Sequence, residues 1–167
     1  MTRFAILFVT ILVALFAAEL TAPAQRVLVI PWTEGLARLS AALLTTFDPQ
    51  VVAYGNILQN MRSGFAISIV AGCNGIEAAL ILIAAMLAYP APRKHRLLGI
   101  AAGLAAVQLL NVVRVVSLFY LGQWNEAAFE WAHLYLWQAL IMLDVLIVWL
   151  IWIRTAPRGS RPQAHAA

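Results

Sequence analysis

Residues 97–122 read LLGIAAGLAAVQLLNVVRVVSLFYLG, an apolar run that follows the basic Arg96 and precedes the polar Gln123. It exceeds the roughly 20 apolar residues that carry a helix across a bilayer. Working outward from it, comparable blocks run from Phe4 to Ala18, from about Phe65 to Tyr89 and from Leu134 to Ile153. The chain of 167 residues is 63% hydrophobic and 11% charged, against about 25% charge in a soluble domain, and its mean hydropathy is +0.87. These observations predict an all-α membrane protein of about four transmembrane helices and exclude an ordinary soluble fold. One cysteine excludes an intrachain disulfide, a CxxC metal site and a redox pair.

The net charge of +4 becomes informative once the basic residues are placed. Arg3, the loop Arg93-Lys94-His95-Arg96 and the tail with Arg154, Arg158 and Arg161 hold seven of the eleven Lys and Arg residues and no acidic one. Positively charged loops near span ends stay cytoplasmic, so both termini are expected inside, and the basic residues point to membrane lipid and to no nucleic acid. Four units follow. Residues 1–21 are an N-terminal membrane anchor, 22–64 an extracytoplasmic segment, 65–153 a three-span core and 154–167 a basic cytoplasmic tail. The anchor is read against a cleavable signal peptide, since Ala22-Pro23-Ala24 resembles a small-residue cleavage site, although its proline makes it a poor one.

Within the outer segment, Ile30-Pro31-Trp32-Thr33-Glu34 predicts the start of an amphipathic helix, with Leu36, Leu39, Leu43 and Leu44 at helical spacing. Such a helix lies along the outer membrane surface. The run Val51 to Leu58 and the alternation Phe65, Ile67, Ile69 read as two short strands, a short β-hairpin ahead of the second span.

Three residues stand out chemically. Cys73, in Ala-Gly-Cys-Asn-Gly-Ile-Glu, sits at a helix start, where free N–H groups and partial positive charge favour a thiolate; the alternative is a small buried hydrophobe. Arg114 lies eight residues before Gly122, about 12 Å below the outer end of its helix. An intramembrane arginine costs at least about 2.5 kcal/mol on insertion scales and normally marks function. Asn111 lies one turn before it on the same face. His133 stands at the outer mouth of the fourth span beside Trp131, Tyr135 and Trp137, a titratable ring or a member of an aromatic belt. Glu77 and Asp144 are the candidate charge partners that would make Arg114 a structural ion pair instead. What sets these residues apart is that a cysteine, an arginine and a histidine from three spans reach one leaflet.

At Cys73-Asn74-Gly75-Ile76, Asn111-x-x-Arg114 and His133 the sequence resembles the exosortase/archaeosortase family of membrane transpeptidases, and its length is most similar to exosortase H. The resemblance runs from about Val51 to Ile153 and rests on the order and spacing of the Cys, Arg and His motifs. Many members carry Ser where this chain has Asn74. The resemblance implies a membrane-embedded cysteine protease or transpeptidase of the bacterial cytoplasmic (inner) membrane. Catalysis is implied for Cys73, Arg114 and His133, with Asn74 and Asn111 in support. It further implies substrates that are secreted proteins ending in a short motif of the IPTLxxWG type, a transmembrane helix and a basic tail, and a lipid or glycan acceptor. No cofactor or metal is expected, because one Cys and one outward His are too few ligands for a zinc site. Two other classes compete. A small transporter would use Glu77, Arg114 and Asp144 as a polar pathway and needs no cysteine; a noncatalytic scaffold would leave Arg114 unexplained.

Overall fold

The computed structural model describes residues 2–156, so Arg158 and Arg161 of the expected tail lie outside the described residues. Its elements are α1 (Thr2–Glu19), α2 (Ala22–Leu44), β1 (Val51–Tyr54), β2 (Ile57–Asn60), β3 (Ala66–Ser68), α3 (Ile76–Ala88), α4 (Arg93–Trp124) and α5 (Glu126–Thr155). The all-α membrane class holds: four helices, α1, α2, α4 and α5, are long and apolar enough to cross a membrane.

The identity of those four differs from the expected set. The block Phe65 to Tyr89 is not one helix but strand β3, a loop and the 13-residue α3. The reason is local. Phe65, Ile67 and Ile69 alternate with period two, which suits a strand, and Gly72 and Gly75 take φ of +83° and +74°, a left-handed conformation that no helix interior contains.

The outer segment also differs from expectation. Helix starts at Ala22, with Thr21 accepting a hydrogen bond from Ala24 N at 3.4 Å. Pro31, expected to open a helix at Ile30, falls inside α2 immediately after a π-helical turn over Gln25–Val29. Proline removes one helical N–H and crowds the preceding turn, and the wider π turn accommodates it. The strand run Val51 to Leu58 is broken by Gly55 at φ +58°, so three strands form in the order β1-β2-β3, each pair antiparallel.

Two ends organise the molecule. At one, Phe4 of α1 stacks on Trp149 of α5 with ring centroids 5.8 Å apart. His95 of α4 stacks on Trp152 at 5.2 Å, and Trp152 Nε1 donates to His95 O at 3.2 Å. Gly99 lets that indole lie against the α4 backbone. Arg93, Lys94, Arg96 and Arg154 therefore gather at the end that also holds the start of α1. Between the ends, Ala78, Leu82, Met86, Val107, Ile141, Val145 and Trp152 form an aliphatic bundle core. At the other end, α2 adjoins Glu19, whose carboxylate accepts from Gln25 Nε2 at 2.7 Å. Leu36, Ala37, Ala41 and Leu44 then run under the sheet, meeting Val51, Leu58, Ile69, Val112, Val115 and Phe119 in a second core. Long and apolar enough to span, α2 also packs its Leu36, Ala37, Ala41 and Leu44 against the sheet and α4.

The stretch from Gln123 to Ala132, between the third and fourth apolar blocks, is largely helix. Asn125, at φ −157°, ends α4 and its side chain accepts from Ala128 N at 2.9 Å, capping α5. A second π turn, Ala132–Leu136, lies within α5 and contains His133.

Candidate active site

Everything local about Cys73 follows from the two glycines that flank it. Val70 O accepts from Cys73 N at 2.9 Å, and with Gly72 at φ +83° residues 70–73 form a turn whose third position demands a left-handed residue. Gly72 N donates to Glu77 Oε1 at 2.6 Å. After Cys73, Asn74 Oδ1 accepts from Ile76 N at 3.1 Å, while its Nδ2 donates to Thr33 Oγ1 at 3.1 Å. Gly75 then opens α3; a Cβ there would meet the Gln108 amide at 2.9 Å and Asn111 Nδ2 at 3.1 Å. The loop is thus held from below by α4 and from the side by α2, where Trp32 Nε1 donates to Asn74 O at 3.2 Å.

This fixed loop places the sulfur against two other helices. Cys73 Sγ lies 2.9 Å from His133 Nε2, and Arg114 Nη2 approaches it at 3.6 Å while Nη1 donates to Gly72 O at 3.2 Å. Arg114 is 3% exposed. The His133 ring is stacked on Phe129 with centroids 5.6 Å apart, one helical turn away, and the π turn sets where along α5 the imidazole projects. Single π turns inside α-helices recur at functional positions. All three residues line one cavity of about 520 Å³, together with Phe65 to Val70, Val115, Leu118, Gly122, Glu126 and Phe129.

The remaining residues singled out in the sequence fall in different places. Asn74 is a buried brace of the loop. Asn111, fully buried, lies beneath Gly75, and both its amide atoms lack a hydrogen-bond partner. Glu77 is spent on Gly72 N, and Asp144 Oδ2 has no partner. Among the described residues the one ion pair is Arg38 with Glu34; neither Glu77 nor Asp144 makes a contact ion pair with Arg114, whose buried Nε is also unpartnered.

The expected thiolate at a helix start requires correction. Burial pushes the Cys73 thiol up, Arg114 pulls it down by a smaller amount, and Glu77 adds a further push upward. The net direction is upward, opposite to what the helix start alone suggests, and the His133 imidazole lies against the sulfur. Thr33, Trp32, Gln108 and Phe129 were not singled out in the sequence. Gln108 carried a legible signal, a polar side chain inside an apolar span; the other three are visible only once α2 folds over the loop and α5 begins early.

Among the described residues no three His, Cys, Asp or Glu side chains converge as a metal set. The model of the Transmembrane exosortase (Exosortase_EpsH) family matches residues 1–150. No curated protein and no solved structure matches the chain. A match over that length includes α1 and the capping helix as well as the Cys, Arg and His motifs, and it supports a membrane transpeptidase role in general. The chain belongs to the transmembrane exosortase family.

Proposed function

We propose that this chain is a cysteine transpeptidase that cleaves C-terminal sorting signals of secreted proteins, with Cys73, His133 and Arg114 as its catalytic residues. The observation that carries the reading is the 2.9 Å approach of Cys73 Sγ to His133 Nε2 with Arg114 Nη2 at 3.6 Å from the same sulfur. A nucleophile, a base within hydrogen-bond reach and a fixed cation form the arrangement that acyl transfer needs.

In the first half-reaction His133 takes the thiol proton as Sγ attacks the scissile carbonyl, and the oxygen of the tetrahedral intermediate is stabilised by the Arg114 guanidinium. The C–N bond breaks, His133 passes its proton to the leaving amine, and a thioester to Cys73 remains. In the second, His133 deprotonates an amine or hydroxyl on a lipid or glycan acceptor, which attacks the thioester; the thiol leaves and is reprotonated. Water reaching the thioester instead gives hydrolysis. Asn74 holds the loop, and Asn111 supports Gly75 from below.

The basic termini lie in the cytoplasm of a bacterial inner membrane, and α1, α3, α4 and α5 make four crossings. The 13 residues of α3 reach about 20 Å at 1.5 Å per residue, short of a hydrocarbon core of about 30 Å, so the Cys73 loop sits below the outer surface at the level of Arg114. A substrate with its own membrane helix and basic tail obeys the same charge rule and brings its motif, of the IPTLxxWG type, to that loop. Residues 1–21 serve as anchor, 22–64 as cap, 65–153 as catalytic core and 154–167 as cytoplasmic tail.

The test is coexpression of a tagged polypeptide carrying such a signal with wild-type, Cys73→Ala, Arg114→Ala or His133→Ala enzyme at equal membrane abundance. Cleavage is expected with wild type and with none of the variants. Cleavage by Cys73→Ala at the wild-type rate would reject the reading and favour transport through the polar pathway.

A further inference from the structure

The register of the sheet leaves one edge open on the catalytic cavity. Asn60 N donates to Phe65 O and Ile69 N donates to Asn56 O, both at 2.9 Å, while Ile57 pairs with Ser68 and Gln59 with Ala66. In an antiparallel ladder hydrogen-bonded and non-bonded pairs alternate. Residues 65, 67 and 69 therefore turn their N–H and C=O groups toward β2, and Ala66 and Ser68 turn theirs away from it. The strand order β1-β2-β3 puts nothing beyond β3, and residues 65–70 line the same cavity as Cys73, Arg114 and His133.

An unpaired strand edge is a template for another chain, and natural proteins blunt such edges or use them. Here it is neither covered nor carries a charge: Phe65 to Val70 contain no ionisable side chain. The geometry points to strand addition as the means by which the substrate is held: an extended polypeptide segment next to the scissile bond pairs with β3 as a fourth strand, inside the cleft between the sheet and helices α4 and α5. This rests on the catalytic reading above and goes beyond it by naming what binds the chain.

Two features favour a polypeptide over a lipid chain or glycan at this edge. Ala66 and Ser68 each offer one donor and one acceptor, repeating every second residue, a spacing of about 6.6 Å that an extended peptide backbone reproduces. The edge also runs directly into the 70–73 turn, so a strand paired with Ala66 and Ser68 is led to the sulfur. Recognition of this kind draws affinity from main-chain hydrogen bonds and specificity from pockets for alternate side chains. One alternate set would meet Val115, Leu118 and Phe129, and so be apolar; the other would face outward.

Disulfide trapping tests this. Ser68→Cys is introduced into Cys73→Ala enzyme and coexpressed with the tagged signal-bearing polypeptide carrying single cysteines at successive positions beside the cleaved bond; membranes are then oxidised with copper phenanthroline. Directly opposed residues on one face of a strand pair have Cβ atoms about 4.5–5.5 Å apart, close to disulfide geometry, whereas their chain neighbours point to the other face. Cross-links are expected to peak at one substrate position, to be weaker two residues to either side and several-fold weaker again at the intervening positions, and Val52→Cys on the opposite edge of the sheet should give none. With native Cys73 retained, Ser68→Pro removes the edge N–H together with the Asn56 Nδ2 to Ser68 Oγ bond, which Ser68→Ala removes alone; Ser68→Pro should raise KM more than it lowers kcat, and Ser68→Ala should change neither as much. Cross-linking without alternation, or none, in enzyme whose Cys73 parent cleaves the same polypeptide overturns strand addition alone. Undiminished cleavage by Cys73→Ala overturns the catalytic reading and the docking mode together.

Discussion

The two cores of this protein obey different rules. The bundle core, from Ala78 and Leu82 to Val145 and Trp152, is aliphatic and aromatic, and Gly103 lets α3 and α5 approach α4 so closely that a Cβ there would lie 2.6 Å from Leu82 Cδ2. The capping core joins α2, the sheet and the C-terminal part of α4, and beside its Leu36, Leu58 and Phe119 it buries Asn74, Asn111 and Arg114. Several of those polar atoms have no partner. Unpaired buried polar atoms are costly; the bundle half carries a few, at Asp144 Oδ2 and Trp149 Nε1, but the wholly buried polar residues Asn74, Asn111 and Arg114 gather at the capping core, around the sulfur of Cys73. Natural sequences depart from local consistency mainly at functional sites.

Substitutions should separate the two cores by what they damage. The largest effect is expected from Arg114→Met, which removes the cation proposed to face the developing oxyanion; loss of one such donor costs about 10²–10³ in kcat, and membrane abundance should stay at the wild-type level. Turnover measured against immunoblotted enzyme checks it, and a drop in abundance that matches the drop in turnover would make Arg114 a packing residue. Gly103→Leu should do the reverse. Overpacking costs about 1–3 kcal/mol, read as a lower melting temperature in detergent, with turnover per folded molecule preserved. Gly75→Ala should damage both, because a left-handed backbone costs a non-glycine residue about 1–2 kcal/mol and the new methyl presses on Gln108 and Asn111 beneath the catalytic loop.

Smaller changes sharpen the contrast. Asn111→Leu exchanges two unpartnered buried amide atoms for an apolar side chain, so the melting temperature should rise or hold while cleavage falls; a large loss of stability would show that the amide is satisfied in the membrane. The subtlest effect concerns the thiol. Because burial holds the Cys73 proton on, with Arg114 opposing, less thiolate exists at neutral pH than on an exposed cysteine, and the fraction grows as pH rises. Iodoacetamide labelling of Cys73 should therefore be slow at neutrality and accelerate into the alkaline range, and Arg114→Gln should shift that profile further toward high pH. A labelling rate already at its plateau at neutral pH would contradict this.

Much of this organisation was legible in the sequence. Uninterrupted apolar blocks locate α1, α4 and most of α5, and counting along them brings Cys73, Arg114 and His133 to one leaflet. The block Phe65 to Tyr89 reads as one span because hydropathy averages over a strand and a helix alike; the period-two alternation of Phe65, Ile67 and Ile69 and the glycines at 72 and 75 mark the division. The start of α2 was hidden by Pro31, since a π turn that tolerates proline leaves no composition signal. Thr33 and Trp32 reach the loop through a tertiary contact across more than forty residues, which no local pattern reports. The direction of the Cys73 shift depends on burial by elements distant in sequence, so a helix-terminus argument alone pointed the wrong way.

Most direct is capture of the acyl intermediate. Wild-type enzyme in membranes, quenched during turnover of the tagged polypeptide, should carry a hydroxylamine-labile adduct mapped by mass spectrometry to Cys73, absent from Cys73→Ala. Accumulation should increase in His133→Gln only if attack survives without the base. Turnover with no such adduct at any quench time, or processing undiminished in Cys73→Ala, would contradict the assignment of Cys73 as nucleophile.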